Sequence, residues 1–336
     1  MEYKTFELTN KNGMKVKVTE FGAVLMQVIV PAKDGSLKDV VMGFDNPEDY
    51  RGNEAFFGAT VGRNANRIKD ARFTIDGVEY QLAANDGPNN LHSDKDKGFH
   101  MVHWDGVFNE AENSVTFSYV SPDGENGFPG EAKMKVTYRL DDENGLEIHY
   151  EGECDKKTVL NCTNHSYFNL SGDLTTSIHD HELKLNCSHY TPVVEGAIPT
   201  GEIADVKGTV FDFTEFRKIG ANIDDDVEQL KLVQGYDHNF VIDHKTGSYD
   251  KIAEARCERS GIKMEVYTDL PGVQFYAGNV TGPQKGKDGV LYGKRQSFCL
   301  ETQYFPNSIN QENFESPVFG AGKKYDTRTK YKFGLI

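Results

Sequence analysis

The chain has 336 residues, enough for one large core or two ordinary ones. Lys+Arg 37 against Asp+Glu 52 leaves a net charge of −15, which opposes approach to phosphate backbones and anionic membranes and argues against a nucleic-acid partner. No apolar stretch reaches bilayer-spanning length; Ala23 to Val30 is short and interrupted by Gln27, so no membrane partner is expected.

In chain order, the N-terminal Met-Glu-Tyr-Lys-Thr-Phe-Glu has no basic segment leading into an apolar run, so it does not read as a leader. Met14, Val16 and Val18 then alternate with polar residues. The pattern returns at Val115, Phe117 and Tyr119, at Met134, Val136 and Tyr138, and at Leu146, Ile148 and Tyr150. Leu183 and Leu185 repeat it, as do Ile262, Met264 and Val266. Two-residue alternation predicts half-buried antiparallel strands, and Asp34-Gly35, Asp76-Gly77, Asp86-Gly87, Asp123-Gly124 and Asn144-Gly145 supply the turns between them. Helical periodicity is confined to Asp224 to Leu232. The chain therefore reads as all-β, a large antiparallel β-sandwich, and with no linker in view a single domain over residues 1–336 is expected. Five cysteines without CxxC spacing read as free thiols in a reducing compartment, so the cytoplasm is the expected location.

Several chemistries are disfavoured. The run Gly282 to Asp288 has three residues between its glycines and an aspartate where a phosphate-binding loop needs Ser or Thr, and no GxGxxG follows a strand. Neither GxSxG nor a cysteine with an obvious charged escort is present. His179 with His181, and His100 with His103 on one helical face, are the available metal pairs, but no HExxH or CxxC accompanies them. Neither a metal nor a cofactor is expected.

What remains is a set of polar groups in strand-like surroundings. His165 sits among Asn161, Thr163, Asn164, Ser166 and Asn169, which could fix the ring nitrogen that carries its proton, and is followed by Tyr167 and Phe168. The segment Gly62-Arg63-Asn64-Ala65-Asn66-Arg67-Ile68 brings arginine forks to an apolar strand, and Asn89-Asn90-Leu91-His92 follows a turn. Asp237 leads into the apolar run ending at Ile242, Gln274 lies between apolar and aromatic neighbours, and Glu301 follows Phe298-Cys299-Leu300. Taken singly, each has a plainer reading: Arg67 as a surface ion-pair partner, His92 as a loop residue, Asp237 as a turn cap, Gln274 and Glu301 as solvent-facing strand polars. Glu301 resists this most, because a buried carboxylate must find partners or keep its proton.

In this order and spacing, the runs Gly-Arg-x-Ala-Asn-Arg-Ile, Asn-Asn-Leu-His, Asn-His-Ser-Tyr-Phe-Asn-Leu, Tyr-Asp-His-Asn-Phe, Pro-Gly-Val-Gln-Phe-Tyr and Leu-Glu-Thr-Gln resemble the galactose mutarotase (aldose 1-epimerase) family. The resemblance implies that family's supersandwich of β-sheets and a small-molecule aldose substrate whose α and β anomers are interconverted. It implies His165 as general acid and Glu301 as general base, with Arg67, His92, Asp237 and Gln274 holding the hydroxyls and ring oxygen and Asn66 beside them. The base would take the C1 hydroxyl proton while the acid protonates the ring oxygen; C1–O5 opens, the aldehyde rotates, and closure gives the other anomer. An apolar setting would raise the proton affinity of Glu301, and Asp237 would help keep His165 charged. A monomer or weak dimer is expected.

One departure is visible. Where the family continues the His92 motif with glycines, this chain has Ser93-Asp94-Lys95, which implies a bulkier or more charged loop beside the sugar. Three alternatives stay open: a non-catalytic sugar-binding module; a hexose-6-phosphate 1-epimerase using Arg63, Arg67, Lys69 and Arg72 for the phosphate; and a glycosidase with Asp237 and Glu301 as its carboxylates.

Overall fold

The computed structural model describes residues 2–336. Each alternating segment named above forms a strand: Lys15–Thr19, Ser114–Ser121, Ala132–Leu140, Gly145–Cys154, Glu182–Leu185 and Ile262–Thr268. In Ala132–Leu140, Met134, Val136 and Tyr138 are buried while Lys133, Lys135 and Arg139 face solvent, the half-buried pattern of period two. The turn chemistry also acts as the sequence predicts. Asp76 (φ 50°) and Gly77 (φ 82°) both adopt left-handed backbone between Arg72–Ile75 and Val78–Gln81, the geometry of a tight two-residue hairpin.

The strands build a nine-stranded antiparallel sheet running from Asp105–Asn109 at one edge to Arg217–Lys218 at the other. A five-stranded sheet contains Asp237–Val241, Gly272–Tyr276 and Cys299–Gln303 as consecutive neighbours, and a four-stranded sheet covers Thr5–Asp39. Val136, Ile148, Met264 and Tyr331 of the large sheet share one core with Val273, Phe275 and Leu300 of the five-stranded sheet. The Tyr331 hydroxyl crosses between the layers to donate to the Leu300 carbonyl at 2.9 Å. This is the stacked antiparallel sandwich that the alternation predicts.

The expected helix is shorter than its sequence window. Among the described residues the one α-helix is Glu228–Val233, because Val227 is still extended (φ −113°, ψ 130°) and Asp224 to Asp226 belong to the preceding turn. His100 and His103 share no helical face: Phe99–Met101 is a single tight turn, and His103 lies beyond it.

Candidate active site

Three neighbouring strands of the five-stranded sheet aim their polar residues to one side. Asp237 lies opposite Tyr276, Asn239 opposite Gln274, Gln274 opposite Glu301, and Tyr276 opposite Cys299. Residues directly opposite in antiparallel strands share a face, so Asp237, Gln274, Tyr276, Cys299 and Glu301 project together. The alternate residues Phe240, Val273, Phe275 and Leu300 enter the core and hold the frame rigid.

His165 arrives from elsewhere. It ends the strand Thr163–His165, which pairs with Ala59–Val61, and its carbonyl accepts from Gly58 N–H at 3.0 Å. Position 58 needs glycine: its φ is +62°, and a Cβ there would stand 2.0 Å from the Leu25 carbonyl oxygen. The imidazole stacks with Tyr167 (5.0 Å, 24°) and with Phe56 (6.0 Å, 26°). Its Nε2 lies 3.5 Å from Glu301 Oε2 and its Nδ1 3.6 Å from Cys299 Sγ. The amides of the His165 stretch are spent on structure instead of on the ring. Asn161 exchanges hydrogen bonds with the backbone of Tyr304, and Asn169 donates to the carbonyls of Thr176 and Gln296. Cys299, which has no charged escort in the sequence, meets the His165 ring through the packing of two separate sheets.

A cavity of about 580 Å³ opens over this face, large enough for a monosaccharide. Asn66, Arg67, His92, His165, Asp237 and Glu301 line it, joined by Phe56, Tyr167 and Tyr276. Gln274 does not reach the cavity; it stands behind, donating to Asp237 Oδ1 at 2.7 Å and accepting from Gln303 Nε2 at 3.3 Å. Asn66 (φ 59°), His92 (φ 54°) and Phe56 (φ 61°) all hold left-handed backbone, and all three line the cavity. For phenylalanine that conformation is costly, on the order of 1–2 kcal/mol, and marks a residue held in place by its surroundings.

Arg67 is an ion-pair partner as its plainer reading had it, yet not a surface one. Its Nε donates to Asp86 Oδ2 at 2.7 Å, and the side chain is only 16% exposed. Asp86, read from sequence only as a turn former, thus aims the guanidinium into the cavity. Ser93 is buried and bonds both ways to the Asn64 backbone, and Asp94 caps the turn at Asp96 and Lys97. Neither these two nor Lys95 lines the cavity, so the loop after His92 is not the bulkier or more charged sugar contact its sequence implies.

Burial dominates the electrostatics. It pushes Glu301 well above the ordinary carboxylate value, with nearby Asp237 adding to the effect and Arg67 opposing it. Burial also raises Asp237, against Arg67 and the Gln274 hydrogen bond. The same cause lowers His165 to about 3, which favours the neutral ring, and Asp237 does not keep it charged as expected. Both shifts favour the uncharged form of each side chain. Glu301 Oε2 is buried and has no hydrogen-bond partner among the described residues.

His92, His165 and Glu301 bring possible ligand atoms within 4.8 Å of one another. The hydrogen bonding argues against a metal there. His92 Nδ1 accepts from Asn66 N–H at 3.1 Å, so its neutral ring carries the proton on Nε2 and offers the cavity a donor, not a lone pair. Of the other histidines weighed as ligands, His181 is buried with Nε2 accepting from Leu170 N–H at 3.0 Å, and His100 Nε2 meets the Lys95 carbonyl at 3.1 Å.

Comparison with known proteins gives concordant findings. The model of the family described as Aldose 1-epimerase matches residues 4–332. The chain is 44% identical to the galactose mutarotase of Bos taurus over 325 residues, covering 96% of this chain and 92% of that one. It is 35% identical to the aldose 1-epimerase of Escherichia coli K12, covering 98% and 95%. Its fold is similar to the crystal structure of an aldose epimerase homologue from C. elegans, with a TM-score of 0.91, 32% identity and 99% of each chain covered.

Proposed function

The chain belongs to the aldose 1-epimerase family, and we propose that it interconverts the anomers of free hexoses such as glucose and galactose with His165 as general acid and Glu301 as general base. It is an isomerase acting on an aldose. The observation that carries the residue assignment is the facing pair itself: two buried ionisable side chains, 3.5 Å apart, at the floor of a sugar-sized cavity.

The reaction needs one proton removed from the C1 hydroxyl and one delivered to the ring oxygen. A pair holding a single proton supplies both, because on ring closure the acid takes back the proton it gave to the ring oxygen and the base returns the one it took from the C1 hydroxyl. In the productive arrangement the proton sits on His165 Nε2 and Glu301 is a carboxylate; a C1 hydroxyl donating to the Glu301 carboxylate favours that form. Each positioned proton-transfer group typically contributes ~10²–10⁴ in rate. Arg67, His92 and Asp237 hold hydroxyls directly, with Asn66 beside them, and Gln274 acts through Asp237.

The phosphate-sugar alternative loses its cation cluster. Arg63 is buried, with its fork spent on Ser121, Pro122, Pro129 and Gly130, and Arg72 lies near Asp70 and Glu79. Only Arg67 of the four faces the cavity. The family match from 4 to 332 supports one domain over residues 1–336, and five free, buried cysteines support a reducing, cytoplasmic setting. A monomer or weak dimer accords with exposed hydrophobics that are mostly scattered. Polarimetry on fresh α-glucose and α-galactose tests the whole reading: mutarotation above the buffer rate that disappears in His165→Gln and Glu301→Gln is expected, and activity retained by both variants would overturn it.

A further inference from the structure

Two histidines face the cavity, and the structure gives their inner nitrogens different partners. His92 Nδ1 meets a backbone donor, Asn66 N–H, at 3.1 Å. His165 Nδ1 meets the Cys299 sulfur at 3.6 Å, an ordinary separation for an N–H···S contact. The two rings stand edge to face, centroids 5.3 Å apart. The His165 ring stacks with Tyr167 and with Phe56, in an orientation that sets Nδ1 beside the sulfur and Nε2 beside Glu301.

We propose that Cys299 is a positioning residue for His165, its sulfur accepting from Nδ1–H so that Nε2 is the one nitrogen that takes up and releases the proton. This rests on His165 being a proton-transfer group. The two rings then hold opposite tautomers: His92 offers an Nε2–H donor to the sugar, and His165 offers an Nε2 lone pair able to be protonated. A carboxylate in the place of Cys299 would stabilise a standing imidazolium. A neutral thiol does not, and its own deprotonation is opposed by burial and by Glu301 two residues on. His165 therefore stays a weak enough base to hand its proton to the ring oxygen, while Nδ1–H remains in place throughout.

The test is imidazole ¹⁵N NMR on the full chain, with His165 signals assigned by His165→Gln, together with steady-state polarimetry. The wild type is expected to show Nδ1–H at His165 and Nε2–H at His92. Cys299→Val, similar in volume and without an acceptor, is expected to move His165 toward the Nε2–H tautomer. It should lower kcat roughly tenfold with KM within about twofold. Cys299→Ser keeps an acceptor and should retain the tautomer and most of kcat. If Cys299→Val does not fold, Cys299→Ala carries the same expectation. A wild-type His165 in the Nε2–H form, an unchanged tautomer in the variants, or a kcat loss that Ser does not rescue would each overturn the proposal. Full activity in His165→Gln would instead remove the reading beneath it.

Discussion

Nε2 of His165 and Oε2 of Glu301 stand 3.5 Å apart, delivered by two separate sheets and both buried. That spacing is short enough for one proton to pass between them and too short to admit a sugar atom between them, so a sugar meets the pair from the cavity side. Glu301→Gln keeps the size and removes the proton acceptor, so kcat should drop at least ~10²-fold while KM for galactose changes little. Near-wild-type mutarotation by that variant would mean that another group is the base.

The pH dependence follows from the same pair. His165, lowered to about 3, gains a second proton only in strong acid, and Glu301, raised by burial, loses the pair's single proton only well above the ordinary carboxylate range. Between those limits the pair keeps one proton and its activity should be flat. The expected kcat/KM profile, taken in short assays, has no acid limb near 6.5, where an ordinary histidine would place one. A limb at 6.5 in wild type would show that His165 titrates freely.

How far the sequence carries can be read from particular residues. Alternation at Met134, Val136 and Tyr138 was legible because a half-buried strand writes its burial into every second residue. The site strands Gly272–Tyr276 and Cys299–Gln303 are buried at every position and write no such pattern, so the residues marked Glu301 only as a carboxylate in apolar company, and the motif resemblance supplied the roles of Gln274 and Glu301. The partner of Arg67 was hidden because Asp86 looks like any turn aspartate until the strands Arg67–Ile68 and Asn90–Leu91 pair and bring its turn alongside. Cys299 was within reach: its i,i+2 spacing to Glu301 puts both on one face of any strand. His165 as a neutral ring was not, since its ionisation depends on how deeply the finished cavity buries it.

The Arg67–Asp86 pair predicts a graded binding defect. Arg67→Ala removes a cavity donor and leaves Asp86 without its cation, so KM should rise roughly tenfold or more. Asp86→Asn leaves the guanidinium in place but loosens its aim, and a smaller rise in KM with kcat nearly unchanged is expected. Equal kcat losses in both variants, with KM unaltered, would move Arg67 from holding the sugar to the chemical step.

Acid stability should follow the buried histidines. His165, His181 and His238 are each lowered to about 3 and His100 to about 4, with burial the main cause throughout; His92 is lowered as well. In the unfolded chain these groups take protons near 6.5, so below that pH the unfolded state binds more protons than the folded one and stability falls. The stability is whole above about 6.5 and erodes at about 1.4 kcal/mol per pH unit for each uncompensated histidine, down toward their folded values. The raised affinities of Glu301 and Asp237 act in the opposite sense and offset part of the loss. Urea unfolding at pH 7.5, 6.5 and 5.5 should therefore show a steep decline over the last step. His181→Gln should flatten that slope by most of one proton, because His181 lies away from the cavity and is lowered by its own burial and by Arg259, with Asp180 opposing. A stability that stayed level between pH 6.5 and 5.5 would mean that these rings are already charged in the folded protein, and the neutral resting site would fall with them.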